Sequence, residues 1–384
     1  MQVAARLNNL PSYVFAEVDR LLADLRAKGV DVINLGIGSP DLPPPAWIVD
    51  TLHRAAQDAT KHSYAGYYGL PSLRQATATY YRNRFGVELD PQREIVILIG
   101  SKEGIFNTAL AFIDAGDVAL IPDPGYPTYT MSVRMAGGDV VPVPLRAERD
   151  FLPDLSAIPG DVLRRAKLLW LNYPNNPTGA TADLGFLATA IEFAKEHNLL
   201  LCYDNPYCDV TFDGYVAPSP LQIPGAKDVV LEFNSLSKTY NMAGWRVGMA
   251  VGSAQAVEAL ARVKTNVDSG IFAPIQEAAA AALCADQSWL QERNAIYQAR
   301  RDAVLAFLPT IGMHAATPKA TLYVWAQVPA GETSAGFAKR VVERTGVWFT
   351  PGTAFGAHGE GYVRISLSTP VERLQEASER LRRL

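Results

Sequence analysis

One lysine carries the strongest chemical signal in this 384-residue chain. Lys238 follows an apolar run and stands within SLSKTYNMAGWRVG, residues 235–248, among small and hydroxyl-bearing neighbours. So placed, it is expected to reach into a site rather than into bulk water. Partial desolvation would lower its pKa and free its amine for imine formation. Ser235 and Ser237 offer hydroxyl donors and Arg246 a fork-shaped cation, a set suited to a phosphate. Ser101, Tyr126, Asn176 and Asp204 also follow apolar runs. Ligands of open α/β sheets bind beyond the carboxyl ends of the strands, so this placement groups these residues into one expected site.

Each residue type has a plain structural use as well. Asn176, in YPNNPTG (173–179), is good turn chemistry, and Asp204 after a strand could cap a helix. Arg364, in the alternating segment GYVRIS (361–366), could form an ordinary ion pair, and Ser101 with Lys102 could simply open a helix. Taken together, their order along the chain and their positions after strands favour a site.

The elements that must hold these residues can be read from periodicity. Val14, Val18, Leu21, Leu22 and Leu25 recur at helical spacing, and Gly29 stops that helix. A short strand at 32–35 runs into the loop Gly36-Ile37-Gly38-Ser39-Pro40-Asp41, which lacks the third glycine and following helix of a dinucleotide fingerprint. Apolar runs at 95–99, 118–121, 168–171, 199–203, 229–233 and 247–251 read as strands, with amphipathic helices between many of them, such as 103–113 and 187–196. Near-continuous apolar strands separated by helices predict a mostly parallel sheet covered on both faces. From about Gln287 the rhythm becomes α+β: a long helix, strands near 322–326, 348–350 and 362–367, then a terminal helix. The expected organisation is a large domain over 46–285 and a smaller one built from both chain ends, 1–45 and 286–384.

Composition narrows the function classes. With 48% hydrophobic and 19% charged residues and a net charge of −4, the chain reads as a well-buried globular protein. Its scattered basic residues do not favour nucleic acid as a partner. Cys202, Cys208 and Cys284 are too few for a disulfide framework, and His53, His62, His197, His314 and His358 show no metal-ligand spacing. Neither a signal-peptide pattern nor about eighteen consecutive apolar residues appears, so a cytoplasmic protein without a membrane partner is expected.

The segment around Lys238 resembles the cofactor-lysine signature of the class I and II aminotransferases, pyridoxal 5′-phosphate enzymes of fold type I. The resemblance runs through nearly the whole chain, and it implies an α/β fold with a large, mostly parallel sheet domain and a small α+β domain. By that resemblance Asp204 is the partner of the cofactor's ring nitrogen, and Tyr207 and Asn176 flank its phenolic oxygen. Ser101, Lys102, Ser235, Ser237 and Arg246 cradle the phosphate, and Tyr126 stacks on the ring. Arg364 grips the substrate α-carboxylate, with the backbone of Gly38 lying against it. Tyr64, followed by Gly69, Leu73 and Arg74, matches a tyrosine that reaches the phosphate across a homodimer interface. The chemistry requires these types. A buried carboxylate keeps the ring nitrogen protonated, phenol and amide donors stabilise the phenolate, and a free lysine amine can move a proton at Cα.

The resemblance implies transfer of an amino group between an amino acid and a 2-oxo acid, with 2-oxoglutarate and glutamate as one pair. Segments 10–16, 264–270 and 318–325 resemble most closely LL-diaminopimelate aminotransferase-like members, and aspartate or alanine stays open as the donor. Arg134, Lys102 and Lys264 could read a distal carboxylate, and Asp268 a distal ammonium. The same Lys238, Asp204 and Arg364 would also serve a C–S lyase or decarboxylase on this fold. A non-catalytic amino-acid-sensing module is a remoter alternative.

Overall fold

A computed structural model describes residues 1–4, 7 and 14–384, with side chains from residue 18 onward in the first helix. Of the segment 10–16, residues 10–13 lie outside the described residues. The chain forms thirteen strands among the described residues. Seven build a central sheet: β2 (Ile95–Leu98), β3 (Val118–Asp123), β4 (Asp139–Pro144), β5 (Ala166–Asn172), β6 (Leu200–Asp204), β7 (Val230–Ser235) and β8 (Gly248–Gly252), in the order β2-β8-β7-β6-β5-β3-β4.

Pairing from β7 through β6, β5 and β3 to β4 is parallel, whereas β8 runs antiparallel to both β2 and β7. The sheet is therefore mostly parallel, as the apolar runs imply. The reversed strand has a consequence for the site. β2, β3, β5, β6 and β7 all end on one edge, while β8 begins there. Ser101, Tyr126, Asn176, Asp204 and Ser235 therefore follow strands into the same edge, and Arg246, just before β8, joins them from the opposite direction.

Side-chain alternation explains why both faces are covered. Ile95, Ile97, Leu169, Leu171, Leu201 and Tyr203 belong to one buried cluster, with Leu73, Tyr81, Leu187, Ile191 and Ala278 from the helices of that face. Val96, Leu98, Leu168, Trp170, Cys202 and Phe233 belong to a second cluster, with Ile105, Tyr129, Val133, Val257 and Leu260 from the other. Each fully buried aliphatic side chain contributes roughly 1.5–3 kcal/mol, so the helices on each side are held by their own apolar layer.

β4 is not evident from the sequence. It is an edge strand, mostly exposed or half-buried, and it carries Pro142 and Pro144. An edge position tolerates proline because one side of the strand needs no ladder partner, but the apolar signal is then weak.

The remaining strands lie outside the central sheet. β9 (His314–Ala315), β10 (Tyr323–Gln327), β12 (Thr350–Pro351) and β13 (Tyr362–Ser366) form an antiparallel sheet in the order β12-β13-β10-β9. β1 (Ile33–Asn34) pairs in parallel with β11 (Val347–Trp348). The single apolar run read at 348–350 is thus split between two sheets. A third cluster joins Ile33 and Leu35 to Tyr297, Val324, Phe337, Val363 and Leu374, so the early strand packs with the C-terminal segments. Among the described residues no helix is long and apolar enough to cross a membrane.

Candidate active site

The sheet edge, the loop 36–39 and the strands β10 and β13 enclose a cavity of about 380 Å³. Gly38, Ser101, Lys102, Tyr126, Asn176, Asp204, Tyr207, Ser235, Ser237, Lys238, Arg246 and Arg364 all line it. Tyr64 does not, and its side chain is 87% exposed.

Lys238 lies on the short helix Leu236–Thr239, where Ser235 is the N-cap and its Oγ accepts from the Ser237 backbone N–H at 3.2 Å. The half-buried side chain donates from Nζ to the Gly38 carbonyl. Enclosure of the amine lowers its pKa, and Arg364 and Arg246 push it in the same direction against the opposing influence of Tyr323. The geometry thus delivers the desolvated amine expected from the sequence.

Asp204 ends β6 and is 4% exposed. Its Oδ2 accepts from the Tyr129 hydroxyl at 2.6 Å, so the carboxylate caps no helix. Tyr129 is fixed in turn by stacking on Trp170 of β5, with ring centroids 4.8 Å apart. Oδ1 is buried with no hydrogen-bond partner among the described residues. Burial raises the Asp204 pKa to about 7, the Tyr129 hydrogen bond only partly opposing it.

Asn176 serves in both the turn and the cavity wall. Its backbone N–H donates to Asn172 Oδ1 at 2.8 Å, and its own Oδ1 accepts from Arg364 Nη1 at 2.8 Å. Asn172, the last residue of β5, also donates to the Asp204 carbonyl at 2.7 Å and so ties two strand ends together. The sequence reading missed Asn172, although its place at a strand end before YPNNP was a usable signal.

Arg364 is 2% exposed and does not face solvent. Besides Asn176 it donates to the Gly36 carbonyl at 2.8 Å, and its guanidinium carbon lies 4.1 Å from the Tyr323 ring centroid and 4.6 Å from that of Phe355. The loop carrying Gly36 and Gly38 is held close. A Cβ at Gly36 would meet Thr350 Oγ1 at 2.6 Å, and one at Gly38 would meet the Tyr323 hydroxyl at 2.8 Å. Asp41, at the end of this loop, takes a two-pronged bond from Arg300 at 2.7 and 2.9 Å.

The other end of the cavity is rich in donors. Ser101 and Lys102 open the helix Ser101–Phe112, whose N-cap Gly100 has φ 70° and offers no side-chain cap. A Cβ at Gly100 would meet Arg246 Nη2 at 2.1 Å, so glycine there admits the guanidinium. Arg246 donates to the Ala243 carbonyl at 2.8 Å and to Ser237 Oγ at 3.4 Å. Tyr126 is the N-cap residue of the helix Pro127–Ala136, its ring edge-on to Tyr129.

Among the residues considered for a distal substrate group, only Lys102 lines this cavity. Lys264 is buried against Asp268 at 2.5 Å, with Glu103 at 4.0 Å. Arg134 sits in the last turn of its helix, outside the wall. Val18 and Asp19 of the helix Val14–Ala27 also line the cavity, as does Tyr323, and none of the three was assigned to the site from the sequence. No group of three or more histidine, cysteine or acidic side chains suited to a metal occurs among the described residues.

Known proteins share this arrangement of chain and fold. The family model for aminotransferase class I and II matches residues 30–381. A protein named LL-diaminopimelate aminotransferase from Moorella thermoacetica is 52% identical over 384 residues, covering 100% of this chain and 98% of that protein. One named LL-diaminopimelate aminotransferase 2 from a Nostoc species is 50% identical, covering 99% of this chain and 98% of that protein. Among solved structures, substrate-bound BacF from Bacillus subtilis superimposes with a TM-score of 0.95 at 39% identity, covering 100% of this chain and 98% of that one. A probable N-succinyldiaminopimelate aminotransferase from Thermus thermophilus gives 0.91 at 41% identity, covering 96% and 99%. The chain therefore belongs to the class I and II aminotransferases and, with its mostly parallel α/β sheet, is an aminotransferase of fold type I.

Proposed function

We propose that the cavity holds pyridoxal 5′-phosphate bound to Lys238, and that the enzyme moves the amino group of LL-diaminopimelate to 2-oxoglutarate. The observation that carries the cofactor reading is the buried Oδ1 of Asp204, an oxygen without a donor on a residue that lines the cavity. A protonated ring nitrogen supplies that missing donor and offsets the burial that raises the carboxyl pKa. Ser101, Lys102, Ser235, Ser237 and Arg246 fit a phosphate dianion, since serine hydroxyls and a forked guanidinium converge at a helix start. Tyr64 of a partner subunit would complete that end, which makes the enzyme a homodimer with shared sites. The substrate reading rests on the names of relatives about half identical to this chain over its full length.

Pyridoxal phosphate held there would supply a carbonyl for the amino group and a charged ring able to accept the electrons released at Cα. The protein residues do the rest. Asp204 holds the ring proton. Asn176, its Oδ1 engaged by Arg364, has its amide N–H free to donate and would give it, with Tyr207, to the phenolic oxygen. Tyr126, in the cavity wall, would lie against the ring. Arg364 grips the α-carboxylate over the backbone of Gly38 and so orients the Cα–H bond. Lys238, its amine favoured in the neutral form, removes the Cα proton and returns it on the cofactor side.

On this reading residues 46–285 act as the large cofactor-binding unit, with 1–45 and 286–384 as the smaller one. The apolar clusters support that division: one draws its buried residues only from 48–283, and the other mainly from the two chain ends, with Tyr207, Val210 and Phe212 joining them. Three unpaired cysteines accord with a cytoplasmic setting.

The test is an absorbance spectrum of the purified protein followed by a donor screen with 2-oxoglutarate. A visible band and glutamate formation from LL-diaminopimelate ahead of aspartate and alanine are expected. Release of ammonia and pyruvate without glutamate would instead mean lyase chemistry.

A further inference from the structure

We propose that Asp123 and His358 are positioning residues for transamination, a clamp that fixes Arg364 relative to the central sheet by holding the ring of Phe355 beside it. Asp123 is the last residue of β3 and is buried, and its own carbonyl accepts from the Leu145 backbone N–H at 2.8 Å. His358 stands on the turn Ala357–Gly359, in the segment that joins β12 to β13. The Asp123 carboxylate takes two bonds from this one residue. Oδ1 accepts from the His358 backbone N–H at 3.1 Å, and Oδ2 lies 3.0 Å from the ring Nδ1, which donates because a carboxylate oxygen only accepts. Close by, the Gly125 N–H donates to the Phe355 carbonyl at 2.8 Å.

The backbone between these bonds is shaped for close approach. Gly356 has φ 136°, and a Cβ there would overlap Asp123 Oδ1, so only glycine lets the carboxylate reach the turn. Phe355 and His358 are thus fastened at both ends of one short turn to residues 123–125. The clamp stands between two parts of the site. Tyr126, next after Gly125, is in the cavity wall, and Arg364 follows His358 on β13. The guanidinium carbon of Arg364 is 4.6 Å from the Phe355 ring centroid, so the fastened turn supplies one of the two rings beside it. Asp204 and Ser235 belong to the central sheet, whereas Arg364 belongs to the antiparallel sheet. Their relative placement decides whether the α-carboxylate can be held while the Cα–H bond is aligned, and a misplacement of about 1 Å can cost on the order of a hundredfold.

This inference rests on the reading of Arg364 as the carboxylate-binding residue. H358A keeps the backbone bond and removes the ring. KM for both amino acid and 2-oxo acid is expected to rise about threefold to tenfold, because both are held by an α-carboxylate, with cofactor absorbance and retention as in wild type. H358N, whose amide nitrogen can stand where Nδ1 stands, is expected to restore most of the loss. D123A removes both acceptors and is expected to raise both KM values by about tenfold to thirtyfold. Adding H358A to D123A should change KM no further, since the ring then has no carboxylate to hold.

Wild-type KM values in H358A overturn the clamp, as does H358N no better than H358A, or an additive rise in the double variant. A loss of cofactor retention in H358A as large as its rise in KM also overturns it, because the pair would then serve the Tyr126 loop and not Arg364. If D123A does not fold, H358A and H358N decide. Unaltered KM values in R364K overturn the carboxylate reading and this inference with it, whereas raised values in R364K beside wild-type values in H358A overturn the inference alone.

Discussion

The Tyr129 hydroxyl donates to Asp204 Oδ2 at 2.6 Å, leaving the other oxygen of this cavity-lining carboxylate buried and without a donor. Tyr129 is stacked on Trp170 and cannot easily follow a moving carboxylate. One oxygen thus anchors the group, and the other is left without a donor among the described residues. The arrangement suits a carboxylate that must keep one orientation as its charge changes.

The first prediction concerns that carboxyl and its pH dependence. Burial holds its pKa at about 7 in the folded protein, well above the ordinary carboxyl value of 3.8. The folded state therefore holds the proton more tightly than the unfolded chain. The stability this contributes is fully present below about pH 4 and is lost as the pH rises through about 7. In cofactor-free protein, Asp204→Asn is expected to raise stability above pH 7 relative to wild type, by at most on the order of 4 kcal/mol. Urea unfolding at pH 5 and pH 8 measures it. The same variant, loaded with cofactor, should lose transamination by about a hundredfold or more, the equivalent of one charged hydrogen bond. Equal destabilisation at both pH values would contradict the burial argument.

Lys238→Ala is expected to abolish transamination and the visible band of the lysine-bound cofactor. The fold should survive, since the side chain is half-buried and its amine bonds only the Gly38 carbonyl among the described residues. Circular dichroism and a single-turnover assay check both halves, and substantial turnover in the variant would reject the assignment.

Replacing Arg364 tests carboxylate binding. The guanidinium uses both Nη atoms, on Asn176 and on Gly36, and lies between two aromatic rings. A lysine supplies one point charge and cannot reproduce that plane. Arg364→Lys is expected to raise KM for both amino acid and 2-oxo acid by about tenfold to a hundredfold, with the cofactor absorbance unchanged. An unaltered KM for both substrates would place the carboxylate elsewhere.

Much of this arrangement was legible in the sequence, and the gaps have physical causes. The strands of the central sheet stand out as apolar runs because both faces are buried, as with Leu168 and Trp170 on one side and Leu169 and Leu171 on the other. β4 does not, because an exposed edge with two prolines lacks that signature. The direction of β8 is invisible in composition, yet it decides how Arg246 reaches the site. Site residues just after strands, such as Asp204 and Ser235, are marked by their position. Tyr323 is at the start of a strand in a different sheet and reaches the cavity only because β10 packs beside β13. Lys264 looked like a possible substrate cation, but its partner Asp268 is one helical turn away and neutralises it locally. Long-range packing, not residue type, separates these cases.

Tyr64 provides a test of assembly. Its side chain is 87% exposed and lies outside its own chain's cavity, near the exposed Tyr67 and Tyr68 in sequence. If it donates to the phosphate across a homodimer, Tyr64→Phe weakens cofactor retention by about threefold to tenfold, the worth of one hydrogen bond or somewhat more. Dialysis with absorbance readout measures retention, and dilution of wild type through its dimer dissociation should reduce it in parallel. A fully active wild-type monomer would remove the basis for a shared site.

The final prediction concerns how the lysine's backbone is held. Arg293, on the helix Trp289–Phe307, is 3% exposed. Its Nη1 donates to the Lys238 carbonyl at 2.7 Å and to the Thr239 carbonyl, and Nη2 donates to the Asp209 carbonyl at 2.6 Å. The carbonyls of Lys238 and Thr239 close a four-residue helix that cannot satisfy them internally. A buried guanidinium therefore acts as their cap, although burial lowers its pKa to about 10 against the pull of Asp209. Removing it strands the Lys238 and Thr239 carbonyls, each costing about 1–3 kcal/mol, while the Asp209 carbonyl keeps its bond from Asn294 Nδ2 at 3.0 Å. Arg293→Ala is expected to lose about 3 kcal/mol or more of unfolding free energy in urea, and Arg293→Lys to recover part of it, because an ammonium has three donors but not the span of the fork. Equal stability of Arg293→Ala and wild type would mean that water caps these carbonyls as well as the arginine does.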